Sequence, residues 1–380
     1  MSERKHVMLD KRIKVLSVFG TRPEAIKMAP LIKELESRPS VFQSFVVVTG
    51  QHREMLDQVL TALDVQPDYD LAVMEPRQSL SLITSKILTQ LDSVIEVEQP
   101  DIVLVHGDTT TCFAAGLSAF YHQVPIGHVE AGLRTWKKYA PYPEEMNRQM
   151  TDVLADLYFA PTENGKKNLL ATRHPEDRIV VTGNTVIDAL QLTVKPDYRS
   201  NAFPTVASGD KMILVTMHRR ENIGEPMKQV FRSMLRIVEE FSDVHFVFPV
   251  HPNPKVHDTA YGMLNGHARI HLIAPLEVVD FHNCMNQSYF ILSDSGGVQE
   301  EAPSLNKPVL VLRNETERPE GIEAGTLELV GTEEANVYRA IKTLLTDKEK
   351  YKRMSESRNP YGDGRASQRI ADAIELFFKN

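Results

Sequence analysis

Only two cysteines occur in 380 residues, Cys112 and Cys284, each inside an apolar segment. With no Cys-x-x-Cys pair and no disulfide framework, a reducing, cytoplasmic setting is expected. Positive charge is also in deficit: 43 Lys and Arg stand against 51 Asp and Glu, a net −8. That balance argues against nucleic-acid partners, and a polyanionic ligand has to be met by local cations against the field of the whole molecule. Long apolar runs are missing. The opening stretch MSERKHVMLDKRIKVLSVFG holds only the short run VLSVF, so neither a signal peptide nor a membrane span is expected. Its first ten residues read as a short disordered lead-in. The 13 histidines show no H-E-x-x-H or Cys/His spacing, so no catalytic metal is expected. A lone Gly20 follows the first apolar strand in place of G-x-G-x-x-G, which argues against bound NAD, and no cofactor is expected.

What is present is a soluble-protein composition, 42% hydrophobic and 25% charged, on a chain long enough for two domains. Apolar strands alternate with amphipathic helices: IKVLSVF (13–19), a helix over 24–37, SFVVVTG (44–50), a helix over 52–62, a long helix over 79–98, DIVLVHG (101–107) and a helix over 110–121. VPIGHV (124–129), a helix over 143–156, DLYFAP (156–161) and RIVVTG (178–183) close the first half. The polar, proline-bearing stretch 191–210 reads as a linker. The pattern then restarts with KMILVTMH (211–218), a helix over 225–241, VHFVFPVHP (244–252), ARIHLIAP (268–275), SYFILSD (288–294) and KPVLVLR (307–313), with helical patterns at 333–345 and 365–379. The predicted fold class is α/β: two Rossmann-like, doubly wound parallel sheets facing a central cleft. Ligands on such sheets bind at the carboxyl ends of strands, so polar residues just after strands are the candidates.

In the first half, GTRPEAIK places Arg22 and Lys27 about a helix N-terminus, where an anion is favoured, or on a solvated helix face. GQHREML offers Gln51, His52 and Arg53, with a solvated helix start as the alternative. HGDTTT ends a strand and starts a helix, and places Asp108 at the strand terminus; the alternative is that Asp108 or Thr109 is an N-cap. HVEAGLRT brings Glu130 and Arg134. PYPEEMNRQMTD starts a helix with Glu144 and Glu145, one of which is expected to serve the helix dipole. Asp108, Glu130 and Glu144 would share one wall, and crowded carboxylates suit proton transfer. The second half supplies His218 and Arg219 from TMHRREN, His251 from HPNP, Ser295, Gly296 and Gly297 from SDSGGVQEE, and Arg313 from LRNETERPE. With Arg22 and Lys27, these cations and the Gly-rich helix start can hold a diphosphate. A nucleotide-sugar would put its diphosphate and nucleoside mainly on the second domain and its sugar against the first.

FGTRPEAIKMAPLI, TGQHREML, HGDTTT, HVEAGLRT, PYPEEMNRQMTD, GNTVIDAL, MHRREN, SDSGGVQEEAP and LRNETERPE run in order over nearly the whole chain. Together they closely resemble the non-hydrolysing bacterial UDP-N-acetylglucosamine 2-epimerases. The resemblance implies a GT-B-like fold, with residues 1–183 as the first domain, 184–363 as the UDP-binding second, and a helix over about 364–380 returning to the first. It implies a homodimer that interconverts UDP-N-acetylglucosamine and UDP-N-acetylmannosamine for surface polysaccharides. The family's route is elimination of UDP to a 2-acetamidoglucal and re-addition. By resemblance, Asp108, Glu130 and Glu144 are the acid/base candidates, and His218 serves near the diphosphate. Arg22, Lys27, Ser295 and Gly296 anchor phosphates, Phe281 packs on uracil, and Glu301 accepts from the ribose hydroxyls. A second, regulatory UDP-N-acetylglucosamine site would draw on Gln51, His52, Arg77, Gln78, Glu144, Arg219 and His251. Glu54 departs from some members, which carry Gln there. The rival reading is a retaining glycosyltransferase of the same architecture.

Overall fold

The computed structural model describes residues 12–50, 53–75, 77–316 and 318–379, without the side chains of 53–55. The expected lead-in, Gln51, His52 and the Glu54 side chain lie outside the described set. The chain forms two compact units, one of residues 1–192 and 362–380, the other of residues 193–361.

Seven parallel strands make the sheet of unit 1: β1 (Ile13–Phe19), β2 (Phe42–Val48), β3 (Tyr69–Asp70), β4 (Ile102–His106), β5 (Ile126–Val129), β6 (Leu157–Ala160) and β7 (Ile179–Val181). Their order is β3-β2-β1-β4-β5-β6-β7. β1 and β4 are rich in Val, Leu and Ile, and apart from half-buried Ile13 and Lys14 they are buried, because helices cover both faces of a parallel sheet. The helix Arg22–Glu36 starts at a capping box, in which Thr21 and Glu24 satisfy each other's backbone N–H groups and Pro23 fits the first turn. The last helix, Ala366–Lys379, lies beside it, and Arg38 donates to Asp372 at 2.6 Å. Asp188 fixes the start of that last helix, accepting from the backbone N–H of Ser367 at 2.7 Å and of Ala366 at 3.2 Å.

Unit 2 repeats the plan with six parallel strands: β8 (Lys211–Thr216), β9 (Val244–Pro249), β10 (Ile270–Ile273), β11 (Phe290–Ser293), β12 (Val309–Val311) and β13 (Leu327–Leu329), in the order β10-β9-β8-β11-β12-β13. In each unit the strand order reverses beside the first strand, between β1 and β4 and between β8 and β11. A doubly wound sheet opens a crevice at that switch point, at the carboxyl ends of the strands.

The chain passes between units at Leu192 and Thr193, beyond the 183/184 boundary read from the sequence. The helix Thr185–Thr193 fills that interval. The stretch read as a linker is also less free than its composition implies. After Thr193 it forms no helix or strand before β8, yet Phe203 is buried in the core of unit 2 and Tyr198 donates to Asp280 at 2.8 Å. Several elements went unread: the helices Glu163–Ala171, Thr185–Thr193, Pro319–Glu323 and Lys348–Glu356, the helix Pro254–Leu264, with Asn253 as its cap and Pro254 in its first turn, and the two edge strands β3 and β13, which are too short to show a period.

Candidate active site

At the switch point of unit 1, the loops after β1 and β4 are tied by one buried carboxylate. Glu24 accepts from the backbone N–H groups of Gly20 (3.0 Å) and Thr21 (2.7 Å) through one oxygen, and from the Thr109 hydroxyl (2.6 Å) through the other. Gly107, at φ +66, then turns the chain as only glycine does without strain, and Asp108 follows. The Asp108 carboxylate accepts from Arg148 at 2.7 Å, and its carbonyl accepts from Asn147 at 3.0 Å. Both donors lie on the helix Glu144–Leu154. Asp108 is therefore fixed to the helix that carries Glu144, and of the two N-cap candidates Thr109, not Asp108, caps the next helix.

Glu130 stands one residue beyond β5 at φ +65, a left-handed conformation that costs a non-glycine residue free energy and marks functional positions. Its Oε2 pairs with Lys27, accepts from Asn184 at 3.0 Å and lies 3.6 Å from His106 Nε2. Burial pushes this carboxyl upward, but Lys27 and His106 outweigh it and hold it well below the usual range. Lys27, expected among the phosphate anchors, thus places its ammonium on Glu130. Of the adjacent glutamates, Glu145 is the structural one. It is fully buried and accepts from the backbone of Thr135 and Trp136 at 3.0 Å each. Glu144 is half-buried, and its Oε2 has no hydrogen-bond partner among the described residues. The chain of contacts therefore joins Glu130, Asp108 and the Glu144 helix through the segment His106–Asp108.

Arg134, picked out after β5, turns inward. Its guanidinium is buried against Asp152, which also accepts from His128 Nδ1 at 2.6 Å. His128 Nε2 in turn lies 2.7 Å from the carbonyl of Gly107. This buried triad braces the turn in front of Asp108. Arg22 opens its helix, half-buried, with no ion-pair partner among the described residues.

In unit 2 the counterpart of Glu24 is Asp294, fully buried after β11. It accepts from the backbone N–H groups of His218 and Arg219 at 2.9 Å each, and from the Asn222 amide at 3.0 Å. His218 and Arg219 are thereby held beside Ser295, the cap residue of the short helix Gly296–Glu301. The His218 ring stacks on His251, with centroids 5.6 Å apart; burial, then the neighbouring His218, pull the His251 value down. Gly296 is packed under Arg318: a Cβ there would lie 2.5 Å from its Nη1. Arg318 is itself held by Glu300 at 2.7 Å. Glu301, on another face, lies 3.5 Å from buried His282, next to half-buried Phe281. Arg313 sits 3.8 Å from Glu221. The second-site set is divided: Arg77, at φ +64, and half-buried Gln78 belong to unit 1, Arg219 and His251 to unit 2.

Glu24, Asp294 and the His128–Asp152 pair escaped the sequence reading. Each sits inside or beside a quoted motif. The Thr21-x-x-Glu24 spacing does signal the local capping box, but the contact of Glu24 with Thr109, of Asp294 with His218 and Arg219, and of His128 with Asp152 joins elements far apart in the chain, where spacing carries no sign of it.

Residues 33–375 match the family model of UDP-N-acetylglucosamine 2-epimerase. The chain belongs to this family. Among curated members, the UDP-N-acetylglucosamine 2-epimerase of Bacillus subtilis is 60% identical over 97% of this chain and 96% of its own length. The structure of a family protein from Listeria monocytogenes superposes with a TM-score of 0.92 at 54% identity, covering 97% of both chains. The Neisseria meningitidis epimerase, solved with UDP-GlcNAc bound, superposes with a TM-score of 0.86 at 50% identity, covering 97% of this chain and 100% of that one. The glycotransferase of kitacinnamycin, at 12% identity and a TM-score of 0.66, shares the fold alone. The fold class is the expected one, two Rossmann-like units of GT-B type. No helix among the described residues is long and apolar enough to cross a membrane.

Proposed function

We propose that this chain catalyses the reversible C2 epimerisation of UDP-N-acetylglucosamine to UDP-N-acetylmannosamine. The observation that carries the reading is the carboxylate set at the switch point of unit 1, in a chain that matches the epimerase family from residue 33 to residue 375. The sugar C2 proton is not acidic, so the reaction needs a base on one face, an acid on the other and a stabilised leaving group. Asp108, Glu130 and Glu144 are the acid/base groups of the proposal. UDP leaves C1 as the C2 proton is removed, giving the 2-acetamidoglucal, and adds back after C2 is protonated from the opposite face. Phosphate contacts are assigned to Arg22, His218, Arg313 and the Ser295–Gly297 helix start. Lys27 acts on Glu130, Phe281 packs on the uracil, and Glu301 takes the ribose hydroxyls. The carboxylate-rich unit 1 favours epimerisation over sugar transfer, which has no use for groups on both ring faces.

The same proposal includes a cytoplasmic homodimer, supply of N-acetylmannosamine to surface polysaccharides and a second nucleotide-sugar site drawing on Gln51, His52, Arg77, Gln78, Glu144, Arg219 and His251. Incubation with UDP-N-acetylglucosamine alone in D2O tests the reaction. Deuterium is expected at C2 of both epimers without an acceptor. A transferase would incorporate none, and a hydrolysing enzyme would release the free sugar and UDP. Starting the assay from UDP-N-acetylmannosamine, with and without added UDP-N-acetylglucosamine, reads the second site.

A further inference from the structure

His106 ends β4 at the switch point, directly before Gly107 and Asp108. It is 3% exposed, and neither ring nitrogen has a hydrogen-bond partner among the described residues. Buried polar groups are nearly always satisfied, and leaving an imidazole unpaired costs free energy that a valine at the end of this Ile-Val-Leu-Val strand would avoid. The ring is aimed at one atom. Nε2 lies 3.6 Å from Glu130 Oε2, just beyond hydrogen-bond length. That oxygen already takes Lys27 and Asn184. Glu130 Oε1 has no hydrogen bond among the described residues.

We propose that His106 is a positioning residue for the epimerisation. When substrate is bound, its Nε2–H closes onto Glu130 Oε2 and completes a three-donor clamp with Lys27 and Asn184. Contacts of this kind are often long in ligand-free structures and tighten on loading. The clamp occupies one carboxylate oxygen and reserves Oε1 for the C2 proton. In the elimination, the C2–H bond breaks and an Oε1–H bond forms. The C–H electron pair becomes the C1–C2 double bond, and UDP departs with the C1–O pair. His106 keeps its own proton throughout.

The inference rests on the epimerase reading, and one assay separates the two. C2 deuterium incorporation from D2O into UDP-N-acetylglucosamine is measured for the parent chain and for His106→Phe, His106→Gln and His106→Asn. Glutamine can place an N–H where Nε2 stands; asparagine is too short, and phenylalanine keeps the shape without a donor. Phe and Asn are expected to slow exchange about 10- to 100-fold with KM within about 2-fold of the parent, and Gln to restore most of the rate. Should His106→Phe fail to fold, the Gln-against-Asn difference still decides. Exchange at the parent rate in the Phe or Asn variant, or a Gln variant no better than Asn, overturns the clamp. A parent chain that incorporates no deuterium overturns the epimerase reading, and the clamp with it.

Discussion

The two switch points share one scaffold and carry different side chains. In both, a buried carboxylate ties the loop after the first strand to the loop after the fourth: Glu24 in unit 1 and Asp294 in unit 2. Unit 1 then crowds three further carboxylates and a lysine near the strand ends, and its Glu130 is held ionised against burial. Unit 2 presents His218, Arg219, Arg318 and the Gly296 helix start. A doubly wound sheet supplies a place for a ligand, and the residues at its rim decide what happens there.

Separating the roles of the two rims gives the largest expected effect. Glu130→Gln should slow C2 exchange by about 100- to 10,000-fold while leaving UDP affinity by calorimetry unchanged. A matching loss of UDP affinity would mean that Glu130 serves the nucleotide as well. Gly296→Ala should do the reverse. Its methyl would lie 2.5 Å from Arg318 Nη1 and 2.7 Å from Cζ, and displacing that guanidinium should weaken UDP binding by about 1–2 kcal/mol, roughly 5- to 30-fold. Exchange at saturating substrate should stay near the parent rate; a collapse there would break the division of labour.

The smallest effect is in acid. Glu145 and Asp152 are buried and Glu130 is half-buried in unit 1, yet each is held below its ordinary value, by Lys27 for Glu130, by the Thr135 N–H for Glu145 and by His128 for Asp152, in each case against desolvation. A depressed carboxyl adds stability that is complete above the ordinary value, 4.5 for Glu and 3.8 for Asp, and is lost as pH falls through the folded value. In unit 2 the lowered carboxyls, Glu225, Glu240 and Asp243, belong to surface pairs that count for little. Acidification should therefore strip hydrogen-exchange protection from β4 and β5 before β8 and β11. Simultaneous loss would contradict the asymmetry.

Most of the fold is legible in the chain because buried parallel strands are nearly unbroken apolar runs. IKVLSVF and DIVLVHG announce β1 and β4, and KMILVTMH announces β8. Edge strands β3 and β13 are two and three residues long, too short for any period. The helix Pro254–Leu264 had a readable start in Asn253-Pro254, hidden because HPNP looked like the end of a strand. At the site, residues named for their chemistry stand at strand ends, as the motifs imply. The braces do not show in the sequence. Nothing in HVEAGLRT says that Arg134 turns inward to Asp152, and nothing in SDSGG says that Asp294 spends itself on two backbone N–H groups of a different strand.

That last contact bears on how an anion is recognised. Many phosphate sites are lined by free backbone amides, a fixed array of dipoles that salt barely touches. Here the amides of His218 and Arg219 are already committed to Asp294, so at these two positions only the side chains remain for the diphosphate contact proposed above. Charge on mobile side chains near the surface is screened by dissolved ions. On the proposed assignment, the nucleotide's grip on His218 weakens as ionic strength rises, and the cell's salt becomes one of the settings of the enzyme.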